Sequence, residues 1–155
     1  MKGDSEVIGR LNALLANELT AIDQYFVQSR MFEHWGYMKL HERISHESDD
    51  ERGHADNLVK RILFLDGQPD VTARAALNIG TNPKEILEND LAFEIEVAKS
   101  LNDAIALCRE KIDNGTRELL EELLADTERD HILWFETQLR LIDDVGLKNY
   151  LSEML

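Results

Sequence analysis

The chain has 155 residues, 43% hydrophobic and 31% charged, with 31 acidic side chains against 17 basic ones and a formal net charge of −14. That length suits one domain, residues 1–155, and that composition excludes a wholly disordered chain. The charge argues against nonspecific binding to nucleic acid or an anionic membrane and favours cations. A single cysteine, Cys108, rules out an internal disulfide and a thiolate metal site. The opening Met1-Lys2-Gly3-Asp4-Ser5-Glu6 lacks the apolar core of a signal peptide, and runs such as Ile62 to Leu65 are too short to span a bilayer. A soluble, cytoplasmic protein is expected.

Only 8 Gly and 2 Pro interrupt long stretches of helical periodicity, and no run alternates as a strand would. A first helix is predicted from about Ser5, as N-cap, to about His34, with Val7, Leu11, Leu14, Leu15, Ile22, Tyr25 and Phe26 on one side and Gly36 ending it. A second runs from about Met38 to about Leu65, closed by Asp66-Gly67-Gln68-Pro69. Asp70 to Asn82 has no sustained amphipathic period and reads as a long crossover. Asn82 as N-cap and Pro83 at the first helical position open a third helix that lasts to about Asp113. Asn114-Gly115 breaks the path, a fourth helix follows to about Asp144, and after Gly146 the tail Leu147 to Leu155 has room only for a short fifth helix. Two helices, a long crossover and two more helices describe an all-α, ferritin-like four-helix bundle, because up-and-down bundles use short loops throughout.

Extending each apolar stripe in steps of three and four brings acid onto all four helices. The rows are Leu11, Leu15, Glu18, Ile22, Tyr25; Ile44, Glu47, Glu51, His54, Leu58; Leu87, Leu91, Glu94, Ala98, Leu101; and Leu120, Leu124, Glu128, His131, Phe135. Stripping water from an isolated carboxylate costs many kcal/mol, so four interior acids need a common partner. Two divalent cations would neutralise Glu18, Glu51, Glu94 and Glu128, and neutral imidazoles of His54 and His131 would complete the shells. Oxygen with a little nitrogen suits Fe or Mn better than structural zinc. About half of one Glu-x-x-His unit is expected by chance, so Glu51 to His54 and Glu128 to His131 carry weight through their place on the stripes. The competing reading is a set of satisfied core polar groups, such as Glu–Arg pairs, but no Lys or Arg lies on those rows.

Along essentially its whole length the chain resembles the bacterioferritins. The resemblance rests on Met1-Lys2-Gly3-Asp4, Asn17-Glu18-Leu19, Asp23-Gln24-Tyr25-Phe26, Arg30-Met31-Phe32, Trp35-Gly36, His46-Glu47-Ser48, Arg61-Ile62-Leu63-Phe64-Leu65 and Gly146-Leu147-Lys148-Asn149-Tyr150-Leu151. It implies a hollow, multi-subunit cage, of about two dozen chains in that family. Such a cage oxidises ferrous iron at an intrasubunit di-iron centre and stores it as ferric mineral, with a ferredoxin-type reductant for release. By position Glu18, Glu51, His54, Glu94, Glu128 and His131 match the six ligands, with Glu51 and Glu128 as bridges. The resemblance also suggests Tyr25 as a further electron donor and His46 with Asp50 as an inner-surface iron site; a buried aromatic on a carboxylate and a solvated helix face are the alternatives. Asp50 to His54 and Thr127 to His131 have the helical spacing to orient the imidazoles.

Two departures stand out. Arg52 occupies the position of the methionine that ligates haem b between two subunits, and a guanidinium is a poor iron ligand. A homomeric cage is therefore expected to lack ligated haem, unless a methionine-bearing sister subunit joins it. One extra residue is expected near Asp113 to Gly115, leaving the ligand spacing within each helix intact. The rival functions are a non-storing di-iron peroxidase or oxidase, disfavoured by the absence of a Cys-rich iron module, and a structural subunit of a mixed cage. DNA-protecting mini-ferritins place their ligands between subunits and fit less well.

Overall fold

A computed structural model describes all of residues 1–155. It contains α1 (Ser5–Trp35), α2 (Met38–Phe64), α3 (Pro83–Glu110), α4 (Asn114–Asp126), a π-helical stretch (Thr127–Ile132), α5 (Leu133–Val145) and α6 (Leu147–Ser152), and no strand. The π stretch joins α4 and α5 into one fourth rod. The rods, the long crossover and the short last helix are those of a ferritin-like four-helix bundle. No helix is long and apolar enough to cross a membrane.

Local chemistry sets most boundaries. Asp4, not Ser5, caps α1, its Oδ1 accepting from the amides of Glu6 (2.8 Å) and Val7 (3.2 Å). Gly36 ends that helix in the left-handed region at φ 86°, where its amide closes the last turn on Phe32 and Glu33. The Asn82 side chain caps α3 through Glu85 N, with Pro83 in the first turn. Asp113 caps α4 through Thr116 N.

The crossover is strapped along α1 by polar side chains at a spacing of four. Thr20 Oγ1 accepts from Ala75 N (2.8 Å), Gln24 Oε1 from Asn78 N (3.0 Å), and Gln28 Nε2 donates to Ile79 O (2.9 Å). All three side chains are fully buried. The strap runs the length of the bundle, so α2 and α3 are parallel. Leu40, near the start of α2, shares an apolar cluster with Ile86 near the start of α3, while Lys111 beyond the end of α3 pairs with Asp4 and Glu6.

The core is in two halves. One contains Leu11, Leu15, Leu58, Ile62, Leu101 and Leu120; the other contains Tyr25, Phe32, Ile44, Leu87, Phe135 and Tyr150. The short α6 closes the second half, Tyr150 Oη donating to Gln138 Oε1 (2.8 Å) while Lys39 N donates to Met154 O (3.0 Å). Phe26, expected on the apolar side of α1, is 55% exposed. Tyr25 takes the interior, and one residue further round a helix is a turn of about 100°.

Candidate metal centre

Between the two apolar halves lies a layer of acids. Glu18 of α1, Glu47 and Glu51 of α2, and Asp90 and Glu94 of α3 are each at most 2% exposed, and His54 and His131 complete the layer. Each buried ion costs several kcal/mol unless it is compensated. One guanidinium, Arg43, contacts the layer through Glu47. With neutral imidazoles, five acids against one arginine leave four formal negative charges, which two divalent cations would balance.

The imidazoles organise this charge. Nδ1 of His54 lies 3.1 Å from Glu51 Oε2 and 3.7 Å from Glu18 Oε2, and Nδ1 of His131 lies 2.8 Å from Glu51 Oε1 and 3.2 Å from Glu94 Oε1. Glu51 thus touches both rings, which face each other with centroids 5.8 Å apart. Three triads of ligand atoms are each compact enough to surround one ion: Glu18–Glu51–His54, Glu51–Glu94–His131 and, on the outer side of His131, Glu47–Asp50–His131; the first two share Glu51. Each outer ring nitrogen meets another acid, His54 Nε2 at 3.5 Å from Asp126 and His131 Nε2 at 2.8 Å from Glu47. Outer partners of this kind fix the orientation of a metal-binding imidazole. They replace the expected ones: Asp50 is not among the partners of His54, and Thr127 Oγ1 has no hydrogen-bond partner.

The groups of this layer hold their protons tightly. Burial holds the Glu18 carboxyl well above the usual carboxylate range, reinforced by the charge of Glu51. Burial alone would push His54 down, but its bonds to Glu18 and Glu51 outweigh that and hold it up to about 11. His131 is raised in the same way, burial being overcome by Glu47, Glu51 and Glu94. Tyr25 Oη donates to Glu94 Oε1, and burial followed by the Glu94 charge raises its pKa.

Glu128 is the expected ligand that the structure does not bring in. It is exposed, while Thr127 and His131 on either side are each 1% exposed. The cause is local: the i→i+5 turn of Thr127–Ile132 holds one residue more than an α turn, so residues three apart no longer share a face. The Glu-x-x-His spacing of the fourth rod is therefore not that of an α-helix. Glu47 is the acid that spacing arguments left without a role. It sits on the α2 row, but its partner His131 lies in another rod, and Arg43, one helical turn before it, supplies the basic group absent from the rows.

The remaining candidates lie at the edge of the layer or beyond it. His46 is exposed, with Nε2 3.3 Å from Asp50 Oδ2. Asp50 also lines a cavity of about 400 Å³ that opens onto His54 and His131 and is walled by Asp49, Asp56, Asp126 and Asp130 with no hydrophobic residue. Such a funnel concentrates cations at the imidazole edges. Arg52 is exposed in a groove with Phe26, Arg30, Ser45 and Asp49, away from the acid layer. Trp134 packs edge-on against Phe135 and lies under the Arg43 guanidinium, and buried Cys108 has its thiol pushed up to about 11 by desolvation and Asp113.

Residues 8–145 match the ferritin-like domain family. A bacterial ferritin of Paramagnetospirillum magnetotacticum is 49% identical over 153 residues, covering 98% of this chain and 93% of its own. A bacterial ferritin of Synechocystis sp. is 46% identical over 155 residues, 100% of this chain and 99% of its own, and a bacterioferritin of Mycobacterium avium is 46% identical over 153 residues, 99% and 96%. The chain belongs to the ferritin-like family and is similar, over its full length, to bacterial ferritins and bacterioferritins.

Proposed function

We propose that the chain is an iron-storing ferroxidase: it takes up ferrous ions in pairs in the acid layer, oxidises them, and passes ferric iron to a mineral inside a hollow homo-oligomeric cage. The observation that carries this reading is the convergence of buried Glu18, Glu51 and Glu94 on the inner nitrogens of His54 and His131, with Glu51 shared. Anionic oxygen donors favour the harder ferric state. Two adjacent ferrous ions give up one electron each, which reduces dioxygen with two protons to hydrogen peroxide, or peroxide with two protons to water. The imidazoles and Glu18 release protons as the cations arrive, because a ligand must be deprotonated to bind.

The acidic funnel beside the imidazoles supports cation delivery, with His46 and Asp50 at its margin as a surface stopping point. Tyr25, whose hydroxyl donates to Glu94, would supply a further electron in this reading. Exposed Arg52 supports a cage without bis-methionine haem, and a methionine-bearing sister subunit would be needed to create such a site. A cytoplasmic address and a ferredoxin-type reductant complete the reading.

The test is anaerobic ferrous titration followed by oxygen, comparing the native chain with Glu18→Ala and His131→Ala. About two irons per chain, fast oxidation, and loss of both in each variant are expected. Unchanged binding in the variants would refute the reading.

A further inference from the structure

Two dipeptides, Asp66-Gly67 and Asn114-Gly115, have the composition in which a backbone closes a five-membered ring on its own side chain. In each the glycine amide nitrogen is the nucleophile and the preceding side-chain carbonyl carbon the target, and glycine has no Cβ to obstruct the approach. The structure separates the two. Gly67 N is committed to Ile62 O at 2.9 Å, and Ile8 and Ile62 crowd its α-carbon. Gly115 N belongs to the first turn of α4, where amides have no helical acceptor, and it makes no hydrogen bond. Asn114 is exposed, and its carboxamide stays out of the bonds of the turn, which run among Asp113, Thr116 and Arg61. The Arg61 guanidinium lies against Gly115: a Cβ built there would meet its Nη2 at 2.8 Å. A cation so placed favours loss of the amide proton and the negative charge that builds on the attacked carbonyl oxygen.

We propose that Asn114-Gly115 is a self-modification site at which the chain deamidates through a succinimide. Gly115 N gives up its proton and bonds to Asn114 Cγ, the Cγ–Nδ2 bond breaks, and ammonia leaves carrying that proton. Water then opens the ring at either carbonyl, leaving aspartate or isoaspartate at position 114. Attack breaks no hydrogen bond of Gly115, so what the fold adds to the barrier is the opening of the first turn of α4, which Asp113 holds shut. The aspartate product puts an acid into a first turn that has none, where the helix dipole favours it. The isoaspartate product lengthens the backbone by one carbon between Asp113 and Thr116 and so undoes the cap.

The test is incubation of the full-length protein at mildly alkaline pH in heavy-oxygen water, followed by peptide mass spectrometry, with isoaspartyl methyltransferase reporting the β-linked product. Asn114 is expected to convert with uptake of labelled oxygen, while Asp66 stays unisomerised. Asn114→Gln and Gly115→Ala are each expected to lose the conversion over the same period. Asp113→Ala is expected to speed it by at least about threefold, because the uncapped turn opens more often. A folded chain whose Asn114 stays intact while the tryptic peptide carrying it converts would overturn the proposal. Isomerisation at Asp66 in its place, or a rate in Asp113→Ala no higher than native, would overturn it too. Should Asp113→Ala fail to fold, the native chain and Asn114→Gln decide.

Discussion

His54 holds its proton up to a pKa of about 11 in the folded, metal-free chain, because its bonds to Glu18 and Glu51 overcome the effect of burial, whereas its ordinary value is 6.5. Above about pH 6.5 the unfolded chain has therefore lost a proton that the folded chain keeps. The sign follows from linkage: this contribution to stability is complete below about pH 6.5 and is lost as pH rises toward 11. Glu18, raised by burial and by Glu51, acts in the same direction from lower pH. The melting temperature of metal-free protein is thus expected to fall between about pH 6.5 and about pH 10, and added cobalt(II) to raise it more at the upper end, where fewer protons compete. A scanning calorimetry profile that is flat or rises across that interval would contradict this origin of the charge balance.

Among the elements, the turn into α4 shows how much one cap holds together. Asp113 Oδ1 accepts from Thr116 N (3.0 Å) and from Arg61 Nη2 (3.1 Å), Thr116 Oγ1 donates to Asp113 Oδ2 (2.6 Å), and Ile112 just before it sits at φ 58°. Burial alone would raise the Asp113 carboxyl, but Thr116 and Arg61 hold it below its ordinary range. Asp113→Ala is expected to lower stability by about 1–2 kcal/mol in urea denaturation, through loss of the cap. Exposed Arg140→Ala is expected to change it by less than about 0.5 kcal/mol. Such caps are legible in a sequence, which is why Gly36, Asn82-Pro83 and Gly146 mark boundaries that the structure shares. The wide turn at Thr127–Ile132 has no such mark. Its residues carry no breaker, and the row from Leu124 reaches His131 equally well through Thr127, by steps of three and four, or through Glu128, by steps of four and three. The Glu-x-x-His motif favoured the second path, and backbone geometry took the first. The crossover strap was hidden for another reason: Thr20, Gln24 and Gln28 form a polar row on α1 whose partners are backbone groups some 50 residues away.

Across the whole molecule, two apolar halves flank one charged layer, and the fold brings to that layer groups that no single helix reveals. Glu18, Glu51, His54, Glu94 and His131 could be singled out because each interrupts an apolar stripe. Glu47 and Asp90 could not be given a role, since what each one faces depends on how the rods are paired: Glu47 meets His131 of the fourth rod, and Asp90 meets Gln24 of α1. Stability traded for a charged interior is recovered on loading, because a ligand that binds only the folded state stabilises it in proportion to RT ln(1 + [L]/Kd). The central claim is that this layer exists to surround two cations. It is tested most directly by anomalous diffraction from crystals soaked anaerobically with cobalt(II). The account expects two peaks per chain, one among Glu18, Glu51 and His54 and one among Glu51, Glu94 and His131, with Glu51 in contact with both. A layer without peaks, or a single ion held with Glu128, would contradict it.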